Sequence, residues 1–336
     1  MADYVVSTWD EFLQYNDSAN TVKFANPHEV NGEIVLEGNG TQNNPYIVST
    51  YEEMLFATGA TYIWQVKLIN REQKIYKYND IYCRYDDSLS TIDFNDIQPN
   101  GYNTSLEIRP IVIGNGWTWK NIVLNENGYI FFTYSAQPVS QLIISNLYAK
   151  GSYCIETNGG FKDSILDLFC ESVNPMTVFT TDTNGGVVYE NMSINLKARG
   201  GEVSINKEEY YYVTLKNCRL NLDVDTTTFK IGYIGSWFYG AILNNVIVTG
   251  DIKTSSNSED VKLGRSISSC IYDVSYSGNG KLKIDRNSIV KTASFYNSDK
   301  VEDETGLAVT NMYGATTEEL KSAQYLFDNG LPIGVG

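Results

Sequence analysis

Seven short segments of this chain fit one template: an apolar residue, any residue, Asn or Asp, then apolar, any, apolar. They read WKNIVL, ISNLYA, FKDSIL, YENMSI, LKNCRL, LNNVIV and IYDVSY, with anchors at Asn121, Asn146, Asp163, Asn191, Asn217, Asn245 and Asp273. Successive anchors are 25, 17, 28, 26, 28 and 28 residues apart. Such steps centre on the length of one coil of a parallel β-solenoid, in which each coil buries its apolar face only by stacking on its neighbours.

The template has a physical reading. Alternation after the anchor, as in Met192, Ile194 and Leu196, sets every second side chain on one face of a strand. Asn and Asp tolerate the left-handed backbone needed for a sharp bend between strands. Stacked coils are expected to align the anchors as a structural ladder, amide to amide along one column. The competing reading is a β-sandwich with Asn before its strands by coincidence.

Three T-x-x-E capping boxes frame the repeat, at Thr8–Glu11, Thr50–Glu53 and Thr316–Glu319. The Thr hydroxyl and the Glu three residues on satisfy free N–H groups where a helix starts. Apolar Phe12 and Leu13, Met54 and Leu55, and Leu320 follow the boxes, and Gly59 closes the second helix. Exposed strand edges invite aggregation, so these short amphipathic helices are expected to plug or flank both ends of the solenoid. The division is an N-terminal cap with two short helices over 1–60, a lead-in over 61–118, coils over 119–300, and a capping helix with its tail over 301–336.

The stretch EGNGTQNNPYIVSTYEEM (from Glu37) is similar to the opening G-x-G-T-x-x-N-P-Y-x-I-x-T-x-E-E-L of solenoid proteins from bacterial surfaces, including those with GLUG repeats, and of β-helical bacteriophage structural proteins. IVIGNGWTWKNIVLN (from Ile111) resembles a later F-D-G-N-G-x-T-I-x-N-L segment of that group, without its leading Phe-Asp. GATTEELKSAQYLF resembles its closing segment. The resemblance covers the first third and the tail, and proper GLUG repeats are absent. It implies an all-β, right-handed parallel β-helix. No secretory leader, sorting motif or C-terminal anchor is read in the sequence, and the expectation is therefore a virion protein assembled in the host cytoplasm: a fibre, spike or decoration protein. Its partners would be other virion proteins, further copies of itself and a host-surface polysaccharide. The alternatives are a polysaccharide-degrading tail spike and a bacterial surface adhesin.

Composition narrows the chemistry. A net charge of −15, with no basic run, disfavours nucleic-acid binding. No apolar stretch approaches the roughly 20 residues of a membrane span. The 5 cysteines lack metal-ligand spacing and are expected to be buried free thiols. His28 is the single histidine, in a turn-like ANPHEV, so no His-rich metal site is available and no catalytic triad is supported. Neither metal nor cofactor is expected.

Hydrolysis of a glycan needs two carboxylates across a groove. The acidic clusters are Asp80, Asp86, Asp87, Asp93 and Asp96, and Asp223 with Asp225. Aromatic contact residues for a glycan or partner are Tyr210, Tyr211 and Tyr212 in EEYYYV, and Trp237 and Tyr239, flanking Phe238, in GSWFYG. Alternation puts one member of each group in the core and leaves the others for lateral packing or sugar stacking. The ending LPIGVG is apolar and uncharged, and is expected to dock on a neighbouring subunit.

Overall fold

A computed structural model describes residues 3–6, 21–24, 37–38, 40–56, 82–97, 106–108, 110–126, 128–132, 135–172, 175–181, 186–206, 213–231, 241–255, 261–264, 266–278, 281–283, 289–301, 307 and 309–331. From Tyr46 to Ala315 the strands form one 23-stranded sheet wound as a parallel β-solenoid of about 6 turns. Two small parallel sheets stand apart, Asp3–Val6 with Thr21–Phe24 and Val261–Lys262 with Leu282–Lys283.

The broadest part of the sheet stacks Ile165–Ser172, Ser193–Asn206, Val213–Lys230, Ile242–Thr254 and Ile271–Ser277 in parallel register. Alternation sends one set of side chains inward. Leu166, Ile194, Leu220, Val248 and Tyr272 make one buried column, and Cys170, Ala198, Val224 and Ile252 another. The upstream core is aromatic instead. Trp119 lies 5.5 Å from Phe94 and 5.8 Å from Phe132, and Phe132 lies 5.0 Å from Phe161, centroid to centroid. All 5 cysteines are buried and free.

The bends resolve into two corners rather than one column. Gln141, Asp163, Asn191, Asn217, Asn245 and Ser269 follow one another in register, with φ of 55°, 52°, 56°, 53°, 55° and 54°. Asn121 and Asn146, at φ 61° and 55°, occupy a separate corner. That corner ends because the register between Ile143–Ala149 and Ile165–Ser172 shifts between Ile144 and Leu147. Ser145 and Asn146 there face the single residue Asp167, so the next coil runs straight through. The 17-residue step from Asn146 to Asp163 is thus a change of corner, not a short coil. Asp273 is not a bend residue: it pairs with Thr249, and Ser269 takes the left-handed position of its coil.

Amides link the bends in two runs. Asn146 Nδ2 donates to Asn121 Oδ1 at 2.8 Å, and Asn121 Nδ2 to Asp93 Oδ1 at 2.9 Å. In the other corner Asn245 donates to Asn217 at 2.8 Å, Asn217 to Asn191 at 3.1 Å, and Asn191 to Asp163 at 2.7 Å. Each run begins at an aspartate for a chemical reason. An ionised carboxylate only accepts, so it receives the first amide but has no N–H to pass further upstream.

Helices sit at both ends of the sheet. Tyr51–Phe56 follows the first strand, and its Tyr51 and Met54 are buried in the main core, Tyr51 lying 5.2 Å from Phe94. Thr50 Oγ1 caps the Glu53 N–H at 3.0 Å, while the Glu53 carboxylate returns to the N–H of Ser49, at 2.6 Å, instead of that of Thr50. At the other end Thr316 and Glu319 form a full reciprocal box ahead of Thr317–Leu320. That helix and Ala323–Asp328 flank the last coils from outside. Leu326 and Leu331 bury themselves against Ile271, Phe295 and Ala315, a cluster separate from the main core. Leu331 is therefore part of the chain's own packing and not available for docking. Pro332 and the four residues after it, like the Thr8 box and His28, lie outside the described residues.

Candidate binding face

Outward columns of the broad sheet bring together side chains far apart in sequence. Tyr148, Phe169, Lys197, Asp223 and Asp251 follow one another coil by coil, and Glu171, Arg199, Asp225 and Lys253 form the neighbouring column. Tyr148 meets Phe169 edge-on at 5.3 Å, and Lys197 Nζ stands 4.8 Å from the Phe169 ring centroid. This cation over an aromatic face is an attractive contact. Tyr148 Oη donates to Glu171 Oε2 at 2.5 Å. Desolvation, then the hydrogen bond and charge of Glu171, push the Tyr148 phenol up to about 12.

Downstream the face becomes a lattice of ion pairs. Arg199 Nη2 grips both Asp223 oxygens, at 2.6 and 2.7 Å, and Nη1 donates to the Asp223 carbonyl at 2.6 Å. Lys253 pairs with Asp225 at 2.8 Å and the buried Lys230 with Glu202 at 2.6 Å, while on the other side of the Asn191 and Asn217 bends Lys216 pairs with Glu190 at 2.6 Å. Each pair joins two successive coils, so the charges tie the stack together as well as colouring its surface. Exposed pairs of this kind contribute about 0–1 kcal/mol each.

The carboxylates singled out in sequence are placed as follows. Asp87 is held below the usual aspartate range by Asn115 and then Arg84, and Asp93 likewise by Asn121 and then Lys120. A general acid needs the opposite shift. Asp86 is half-buried beside them and caps the Ser88 N–H at 2.9 Å. Asp223 and Asp225 are engaged by Arg199 and Lys253 as above. Asp80 and the side chain of Asp96 lie outside the described residues, as do Tyr210, Tyr211, Tyr212, Trp237, Phe238 and Tyr239. Among the described residues no group of three His, Cys, Asp or Glu is placed to hold a metal, and no helix is long and apolar enough to cross a membrane.

The Tyr148–Phe169–Lys197 ridge escaped the sequence reading. Alternation alone turns Tyr148 and Phe169 outward, but only the register reveals that they touch and that Lys197 crowns them. Comparison with known protein families, curated proteins and solved structures finds no match to this chain. The face is consequently read from its own chemistry.

Proposed function

We propose that the chain is a structural virion protein of a bacteriophage, a fibre, spike or decoration protein. In this reading the solenoid is a rigid spacer. It presents its broad outer face to a host-surface polysaccharide and assembles with other virion proteins and with further copies of itself. The observation that carries the binding role is the Tyr148–Phe169 pair, flanked by Lys197, Glu171 and Arg199 on a sheet braced by cross-coil ion pairs. A half-buried aromatic pair with charged groups at its rim offers a sugar both apolar contact and hydrogen-bond partners. A flat, preformed surface also binds with little ordering cost.

Mass spectrometry of purified particles tests the virion assignment, and a glycan array tests the face. Phe169→Ala is expected to abolish glycan capture without altering the circular dichroism spectrum. Capture unchanged in that variant would remove the face from the account.

Depolymerase activity is the second reading, favoured by one observation. Asp223 and Asp251 are outward neighbours on successive coils, which sets two carboxylates side by side on one face, the residue pair that glycoside hydrolysis requires. A reducing-sugar assay on host polysaccharide separates the two readings. The binding reading predicts no release above that of an Asp223→Asn, Asp251→Asn variant.

A further inference from the structure

The two ends of the main sheet are finished differently. At the upstream end, the first strand Tyr46–Val48 has its outer edge occupied: Ile47 N–H donates to the Glu37 carbonyl at 2.9 Å. At the downstream end, the last strand Met312–Ala315 pairs with Ser294–Asn297, and among the described residues no strand lies on its other side. The Asn311 and Ala315 carbonyls accept from Ser294 and Ser298, each at 2.9 Å. By alternation Met312 and Gly314 face the other edge, where the Val309 carbonyl takes the Met312 N–H at 3.2 Å and Gly314 presents its N–H and C=O.

Apart from its shortness, that edge carries none of the sequence features that protect edge strands. Met312, Tyr313, Gly314 and Ala315 include no charge, no proline and no bulge. Tyr313 and Val309 beside it are exposed, at 46% and 39%.

A complementary deficiency exists at the start of the chain. Among the described residues, Asp3–Val6 and Thr21–Phe24 form a parallel sheet of two strands. So small a sheet is at best marginal without a further partner. Asp3–Val6 also precedes a Thr-box sequence, as do both terminal strands of the main sheet, Tyr46–Val48 and Met312–Ala315. Within a parallel stack that grows from N- to C-terminus, and among the described residues, no strand lies on the upstream edge of Asp3–Val6 or on the downstream edge of Met312–Ala315. The two edges have matching polarity.

We infer that the chain associates head-to-tail, the Asp3–Val6 strand of one copy adding in parallel to the Met312–Ala315 edge of the next. This gives a geometry to the self-association proposed above and rests on that part of the reading alone; the virion and glycan roles are not required. The contact is heterologous, so it propagates into a linear assembly unless its rotation closes a ring.

Sedimentation velocity on the full chain tests it with two variants, Tyr313→Lys to charge the tail edge and Val5→Pro to remove a strand donor at the head. The parent is expected to grow in mass with concentration, and each variant alone to lose every species larger than one chain. Mixed together, they are expected to form a complex of one copy of each and nothing larger, because each retains one intact end. Val309→Lys repeats the tail test if Tyr313→Lys disturbs the circular dichroism melt. A monomeric parent, variants that still assemble side by side, or a mixture that stays monomeric each overturns the inference. A chain that assembles in this way yet is absent from particles removes the virion assignment and leaves this one standing.

Discussion

Asn217 combines the two demands made at a bend, a φ of 53° and a cross-coil amide bridge to Asn191 and Asn245. A branched residue there costs about 1–2 kcal/mol of backbone strain, and loss of the bridge about 1 kcal/mol more. Glycine enters the left-handed region freely. Asn217→Leu is therefore expected to lower stability in denaturant by about 2–3 kcal/mol and Asn217→Gly by about 1 kcal/mol. Equal losses would show that the bend is not strained. Tyr189 poses the opposite case. Its hydroxyl is fully buried, with no hydrogen-bond partner among the described residues, between Phe161 at 6.0 Å and Phe179 at 4.5 Å. Burying an unpaired hydroxyl costs about 1–3 kcal/mol. Tyr189→Phe keeps the ring and removes the cost, so its thermal midpoint should rise; a fall would mean that the hydroxyl has a partner after all.

At the scale of elements, the helices after Ala315 hold to the last coil through a polar latch. Asn297, fully buried, donates to Asp273 at 2.6 Å and to Thr317 Oγ1 at 3.0 Å, while Asp299 accepts the Thr317 N–H at 2.7 Å. Lys300 pairs with Asp273 at 2.8 Å. Partial burial pushes the Asp273 carboxyl up, but the hydrogen bonds of Lys300 and Asn297, with the charges of Lys300 and Lys321, bring it below its ordinary value. An aspartate lowered on folding stabilises fully above its unfolded value of about 4 and loses that contribution as pH falls through the folded value. Hydrogen exchange should accordingly show Glu318–Asp328 losing protection below about pH 4, before the coil strands do. Asp273→Asn should remove this pH dependence. Simultaneous loss in helix and coils would contradict a separate latch.

This element also shows what could be read in advance. Thr316 and Glu319 announce their helix because a capping box is local chemistry. The side of the solenoid that the helix covers depends on Ile271 and Phe295, whose outward direction follows from the stacking register. Asp273 matches the bend template letter for letter, yet sits four residues past the bend at Ser269. A serine is a weaker signal for a left-handed bend than asparagine, so the regular 28-residue spacing pointed to the wrong residue. The Leu331 contact was equally hidden, since an apolar ending does not say which surface it meets.

Across the whole molecule, period and alternation made the solenoid legible, because a coil that cannot bury its face alone must stack. The candidate face was not legible, because Tyr148, Phe169, Lys197 and Arg199 become neighbours only when coils of unequal length are laid in register. Everything claimed for that face, and for the ion pairs that brace it, depends on that register. A cysteine pair at Asp223 and Asp251 tests it most directly. These positions are 28 residues apart in sequence but adjacent and outward on successive strands, about 4.8 Å apart between strands, within disulfide reach. The native cysteines are buried and do not compete. Mild oxidation of the Asp223→Cys, Asp251→Cys variant is expected to close an intrachain bridge in the folded protein with its circular dichroism unchanged. Failure to bridge within one chain, as expected of a sandwich with antiparallel neighbours, would contradict the parallel stack.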